Sequence, residues 1–382
     1  MQKKHLGRML CSFALSALTL WGVSVTTAAK DARAALRSLR EESLGVMLLR
    51  YERGDGGEEY LSMQTSLALR AAPLLRGEDE RIAQAWSTEL TQKPDDGAAG
   101  DAQDNEGTVL TQEKTPDEVA VTENGVPART LKASDPSGYT VFGNVYINNG
   151  SDAALDASML GADYAACLGA DEPQVLIIHT HGTESFTMPP GQEYDVSDTF
   201  RTLDTNCNMI RVGDEMARTL TECGISVVHD RALYDYPSYS GAYNRSLASI
   251  ERYLEKYPSI SFVLDVHRDA VQDANGNQFK LLCGEDAGAA QLEFVIGSNG
   301  GGLSHELWRE NLKLACAVQE TLYKDYPTLM RPVTVRNSRY NQHMTTGSLL
   351  VEVGTAGNSL EEAINAARIF AAGFAKTLQN GE

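Results

Sequence analysis

Three short stretches carry residue types that could do chemistry together. They are His179-Thr-His181-Gly-Thr-Glu184, Asp265-Val-His267-Arg268-Asp269, and a single carboxylate, Glu352, set inside the apolar run Leu349-Leu-Val-Glu-Val353. Neutral imidazoles and a carboxylate are the usual protein ligands of a catalytic zinc, which keeps one position open for water. The two histidines of the first stretch, two residues apart, share a face if a strand runs through both. Where the chain turns, either or both could bind metal, or one could support the other; the plainer account makes both hydrogen-bonded structural groups. The second stretch offers His267 as a further imidazole ligand, with Asp265, Arg268 and Asp269 orienting neighbours or meeting substrate. Its plainer account is an Arg–Asp ion-pair network at a sheet edge. Burying an unpaired carboxylate is expensive, so Glu352 must face a partner or a site. Beside a metal it is a natural general base for water and then the acid for a leaving amine; otherwise it is a salt-bridged structural Glu.

All three stretches fall at or near the ends of predicted strands in an α/β pattern over residues 173–382. Gln174-Val-Leu-Ile-Ile178 holds a short apolar run, as in a strand covered on both faces. Asn208 to Leu220 has helical periodicity, and Gly224 to Val228 reads as a strand. Gly241 to Tyr257 is a helix stopped by Pro258, Ile260 to Val266 a strand, and Leu303 to Tyr326 a long helix. Leu349 to Val353 is a strand and Leu360 to Leu378 a terminal helix. Strands alternating with helices of this length predict a three-layer α/β domain with a mostly parallel sheet. In such sheets ligands bind beyond the carboxyl ends of the strands. His229, His305 and His343 lack comparable partners nearby and read as surface or helix histidines. No GxSxG elbow and no Cys/His signature supports a serine or cysteine nucleophile.

Upstream of this core, Lys3, Lys4, His5 and Arg8 precede an apolar run to Ala29, a basic n-region followed by an export segment long enough to span a membrane. The charge placement puts residues after Lys30 outside the cell membrane, with residues 1–29 as an anchor, or as a signal peptide cleaved after the small-residue stretch at 25–29. Residues 30–92 read as a membrane-proximal helical region. Residues 93–125, rich in Asp, Gly, Gln, Glu and Thr, read as an acidic flexible linker, and residues 126–172 as a strand-rich appendage. The formal net charge of −19 argues against nucleic acid as a partner, since phosphate binding needs a basic surface. The six scattered cysteines, with no CxxC pair, form no zinc ribbon or dense disulfide framework.

Taken in order, His179-Thr-His181 with Glu184, Tyr236-Pro-Ser-Tyr239 to Arg245, Asp265-Val-His-Arg-Asp269, and Glu352-Val-Gly354 to Asn358 and Glu361 resemble the stage II sporulation protein P family. The resemblance covers the whole C-terminal core and extends to the order of membrane segment, helical region, linker and catalytic domain. That family is similar to zinc-dependent N-acetylmuramoyl-L-alanine amidases of the type-3 fold. The resemblance implies cleavage of peptidoglycan at the lactyl–alanine amide and of stem-peptide cross-links, in septal wall thinning and engulfment during sporulation. It also implies a partner lytic transglycosylase of the stage II sporulation protein D family. In the amidase pattern the first zinc histidine precedes a Gly, which selects His181 over His179 and leaves His179 as support. The second histidine matches His267 and the catalytic Glu matches Glu352. The pattern places the third ligand at a Glu entering the helix after the first strand, where this chain has Asp204. Glu184, nearer the strand end, is taken as the third ligand of one zinc, with Asp204 as the alternative. Two other readings accompany this one: a zinc carboxypeptidase or endopeptidase on stem peptides, and a non-catalytic wall-binding module.

Overall fold

The computed structural model describes residues 126–380, apart from 162, 170, 189–199, 273–275 and 287, and two dipeptide strands upstream. The apolar run to Ala29, the helical region 30–92 and most of the linker 93–125 therefore lie outside the described residues. Among the described residues no helix is long and apolar enough to cross a membrane.

Strands β1 (Thr108–Val109), β2 (Ala120–Val121), β3 (Pro127–Arg129), β4 (Thr140–Phe142) and β5 (Val145–Asn149) precede β6 (Val175–Ile178) and helix α1 (Met209–Glu222). Next come β7 (Val227–His229), α2 (Ala242–Lys256), β8 (Phe262–Asp269), β9 (Val271–Gln272), β10 (Lys280–Leu281) and β11 (Leu292–Gly297). Helix α3 (Trp308–Tyr323), β12 (Val333–Arg336), β13 (Gly347–Thr355) and α4 (Leu360–Asn380) complete the order. Eight strands form one sheet in the order β4-β5-β12-β11-β13-β8-β6-β7. Five of its seven pairings are parallel; β4–β5 and β11–β13 are antiparallel. The mostly parallel sheet expected from the sequence is therefore present.

Alternation along the strands divides the core. Val175, Ile177, Phe262, Leu264, Val266, Val351 and Phe294 point to one face, where α1, α3 and α4 bury Met216, Trp308, Leu312, Phe370 and Phe374 against them. Leu176, Ile178 and Val263 point to the other face and pack with Ile250 of α2. Burying side chains of this size is worth roughly 1.5–3 kcal/mol each, and this sets the strand register.

The structure departs from the sequence reading in four places. β8 runs on through His267, Arg268 and Asp269 rather than ending before them. β4 and β5 bond through β12 to the main sheet, so residues 140–149 are its edge and not an appendage. β11 and β12 are strands that the sequence reading did not assign. α3 is shorter than Leu303–Tyr326 at both ends.

Helix α1 starts where the first motif needs an anchor. Asn208 accepts a hydrogen bond from Ile210 N at 3.0 Å and donates to the Thr202 carbonyl at 2.9 Å, while Met209 N donates to the Glu184 carbonyl at 3.0 Å. The cap thus ties the helix to the loop that carries Glu184. Asn208→Ala is expected to lower the unfolding free energy by about 1–2 kcal/mol, read from urea denaturation; a change under half that size would mean the cap is not needed.

Candidate metal centre

Parallel pairing brings the three motifs together. Ile178 lies opposite Asp265, so His179 to Glu184 leave β6 beside the C-terminal half of β8. On the other side of β8, Glu352 of β13 is the register partner of His267, which puts both side chains on one face of the sheet. Ligand-capable atoms of His181, Glu184 and His267 lie within 4.8 Å of one another, and all three side chains are buried. Glu184 sits between the imidazoles: its Oε1 is 3.8 Å from His181 Nδ1 and its Oε2 is 3.6 Å from His267 Nδ1. The two rings stand edge to face with centroids 5.0 Å apart. Two imidazoles and one carboxylate meeting at a point are a donor set suited to zinc with an open position. Asp204, the alternative third ligand, is absent from this cluster. Its carboxylate accepts from Asn206 N at 2.9 Å within its own exposed turn.

The surrounding residues hold the donors in place. Asp265 accepts from Thr180 N at 2.8 Å and Thr180 Oγ1 at 2.6 Å, fixing the turn out of β6. Its Oδ1 also lies 2.9 Å from His267 Nε2, an ion-pair contact off the N–H line that leaves His267 Nδ1 toward Glu184. A carboxylate behind a ligand histidine is the usual way its orientation is fixed. Arg268 faces away from this point: its Nε donates to the Ser185 carbonyl and its Nη2 to the Phe200 carbonyl, both at 3.0 Å. Asp269 pairs with Arg331 at 2.7 Å. Arg331 also reaches Glu293 at 2.8 Å, and Glu293 is the cross-strand neighbour of Glu352.

His179 lies behind the cluster. Its Nδ1 is 2.8 Å from the Val266 carbonyl and must carry the proton, so its Nε2 is an acceptor. His229 Nε2, 2.8 Å away, therefore donates, while His229 Nδ1 donates to Asp214 at 3.1 Å. Reading His229 as a surface or helix histidine is thus corrected: it ends β7 and buttresses His179. His305 is likewise fully buried, with Nε2 on Asn311 at 3.1 Å.

Electrostatics divide the acids and bases by role. Burial, opposed by Glu184, takes His181 down to a pKa of about 3, and burial with His229 takes His179 to about 3. Burial alone would lower His267, but Asp265 and Glu184 outweigh it and hold its pKa well above the ordinary value. Burial would raise Glu184; Arg268, His267 and His181 outweigh it and hold it low. Glu352 is pushed well above the usual carboxylate range by burial, against the pull of His267 and with the help of Asp269, Glu184 and Glu293. Its Oε2 has no hydrogen-bond partner. A carboxyl poised to carry a proton beside a metal site is suited to acid–base work.

Several contributors gave no signal alone in the sequence. Tyr239 stacks on His181 at 4.4 Å, and Tyr243 meets the same ring edge-on at 5.5 Å. Both belong to the stretch from Tyr236 to Arg245, whose Arg245 donates to the Tyr234 carbonyl at 2.6 Å and so braces the loop. Asp235 accepts from Thr183 Oγ1 at 2.5 Å.

The stage II sporulation protein P (SpoIIP) family profile matches residues 60–375 of the chain. The stage II sporulation protein P of Bacillus subtilis (strain 168) is 28% identical over 225 residues, 56% of this chain and 53% of that protein. The chain thus spans about half the length of this curated relative. Among solved structures, the CwlD amidase from Clostridioides difficile in complex with the GerS lipoprotein aligns with a TM-score of 0.35 at 14% identity, over 55% of this chain and 98% of that one. N-acetylmuramoyl-L-alanine amidase AmiC2 of Nostoc punctiforme aligns with a TM-score of 0.30 at 15% identity, over 56% and 96%.

Two measurements follow from this geometry. A Cβ on Gly213 of α1 would lie 2.3 Å from His179 Nε2 and 2.5 Å from His229 Nε2. Gly→Ala inside a helix normally stabilises by about 1 kcal/mol, but Gly213→Ala is expected to destabilise by roughly 1–3 kcal/mol through overpacking; stabilisation in a denaturant titration would refute the contact. His267, its pKa raised, carries a second proton at neutral pH and must lose it to ligate. Zinc binding to the metal-free chain should therefore release about one proton near pH 7, and affinity should rise about tenfold per pH unit until pH passes the raised pKa. Calorimetry in buffers of different ionisation enthalpy measures the proton count, and a count of zero would refute the raised pKa of His267.

Proposed function

Because the chain belongs to the stage II sporulation protein P family, we propose that it is a zinc-dependent peptidoglycan hydrolase that cleaves the N-acetylmuramoyl-L-alanine amide and also stem-peptide cross-links. The observation that carries this reading is the convergence of His181, Glu184 and His267 at one point, with Glu352 the register partner of His267. These three residues would hold the zinc, which when bound supplies Lewis acidity toward the amide carbonyl and the attacking water. In its ionised form Glu352 would take the proton of the attacking water on its unpartnered Oε2 as the C–O bond forms, and then give it to the amine nitrogen as the C–N bond breaks. Asp265 keeps His267 turned toward Glu184, and His179 with His229 braces the strand end from behind. Tyr239 and Tyr243 exclude water from one side of His181.

The family also supports a place in septal wall thinning and engulfment during sporulation. On the same ground we assign a lytic transglycosylase of the stage II sporulation protein D family as partner, and a membrane anchor in residues 1–29 that holds the hydrolase outside the cell membrane. No nucleic acid is involved, in keeping with the net charge of −19.

Glu352→Gln should retain one zinc per chain and lose at least 100-fold in muropeptide release, the usual range for removing a general base. Mass analysis of digested sacculi identifies the bond opened. Full activity in Glu352→Gln would remove the assignment. Products that keep the lactyl–alanine amide but lose terminal stem residues would favour the carboxypeptidase reading, and zinc-loaded chain without any product would favour a wall-binding module.

A further inference from the structure

Away from the metal centre, a cavity of about 290 Å³ opens between the β4–β5 turn, the C-terminal end of α3 and the segment leading into β12. Tyr146, Tyr323 and Tyr326 line it together with Lys132, whose exposed ammonium sits 6.0 Å from the Tyr323 ring centroid, and at the rim the Glu320 carboxylate accepts from Asn144 Nδ2 at 3.0 Å. Gln319 contributes a second signal. It is 6% exposed, its Nε2 donates to the Arg331 carbonyl at 3.1 Å, and its Oε1 is a buried acceptor with no hydrogen bond. Unpaired buried acceptors are rare and ask for a donor.

The cavity belongs to the same edge of the sheet as the metal centre. β11 runs antiparallel to β13, and β12 and β5 run parallel to β11, so the starts of β5, β11 and β12 share the edge where β6, β8 and β13 end. Met330 and Pro332 line the cavity, while Arg331 between them reaches Asp269 and Glu293 beside Glu352. Strands lie about 4.8 Å apart, so the three to four strand steps from β8 to the starts of β12 and β5 place the cavity roughly 14–19 Å from His267. An extended peptide advances about 3.4 Å per residue, so roughly four to six residues span that gap.

We propose that this cavity is a distal subsite for the free-carboxylate end of a peptidoglycan stem peptide whose first amide lies at the metal centre. Lys132 meets the terminal carboxylate, the tyrosines pack against the last side chain, and Gln319 Oε1 accepts a backbone N–H. The assignment rests on the amidase reading for which bond is cut, but peptide binding can be measured without hydrolysis. A sugar of the glycan strand is the competing occupant; it offers stacking to tyrosine but no anion for Lys132.

The full chain is titrated by calorimetry with a synthetic stem tetrapeptide and with the same peptide amidated at its C-terminus. Amidation and Lys132→Ala should each weaken binding about tenfold, and the two losses should not add, since both remove one contact. Lys132 is exposed, and an unchanged unfolding midpoint in the variant separates a lost contact from a misfolded chain. Unchanged affinity in Lys132→Ala, or an undiminished loss on the amidated peptide, would overturn the proposal. So would Tyr323→Ala weakening a stem-free glycan oligomer while leaving the tetrapeptide untouched. A chain that binds as described but releases no amide-cleaved product keeps the subsite and removes the amidase reading.

Discussion

The carboxylate of Asp265 is the interaction on which the site depends. It lies deep in the sheet and accepts two hydrogen bonds from Thr180, the first turn residue beyond β6, while its Oδ1 faces His267 on its own strand. One side chain therefore sets both the direction in which the chain leaves β6 and the ring angle of His267. A buried carboxylate survives only when its lone pairs are used, and here its burial penalty is offset by His267 and Thr180, which hold its pKa low. Parallel register does the rest. Any slip of β6 against β8 by one residue would turn the alternation over and send Ile177 where Ile178 belongs.

Charge is balanced around that point in two layers. Nearest the donors, Glu184 is kept ionised by the Arg268 charge and by the two imidazoles. Further on, the carboxylates of Asp269, Glu293 and Glu352 crowd into the same region, and Arg331 pairs with Asp269 and Glu293 while making no ion pair with Glu352. Burial raises both Glu293 and Glu352, and Glu352, without an ion-pair partner, is driven well above the usual carboxylate range. The division follows from which strand each acid sits on: β11 and β8 point theirs at Arg331, and β13 does not.

Much of this was legible in the sequence because it was local. The apolar run before His179 marks β6, Asn208 marks the start of α1, and the Leu349–Val353 run marks β13. The polar stretches could be placed at strand ends for the same reason. What was not legible depends on partners far along the chain. β11 reads ambiguously because Glu293 interrupts its apolar run, and the arginine that accommodates Glu293 comes 38 residues later, at Arg331. His229 looked unremarkable because the group it supports, His179, lies 50 residues earlier. Between Glu184 and Asp204, residue type and spacing point both ways. Only the fold turns one carboxylate between two imidazoles and the other into its own turn.

The place of β13 in the sheet has a consequence for biogenesis. It is the last strand in chain order, yet it inserts between β8 and β11 rather than adding at an edge. Likewise β5, the first long strand, waits for β12 almost two hundred residues later. Assembly of this sheet is therefore dominated by distant pairings, which form slowly. While the chain is still being made, the gap between β8 and β11 stays open, and Glu352 has no neighbour to act on. A nascent or truncated chain lacking β13 would carry His181, Glu184 and His267 without Glu352, so the cluster and the carboxyl beside it come together only once synthesis has passed that strand.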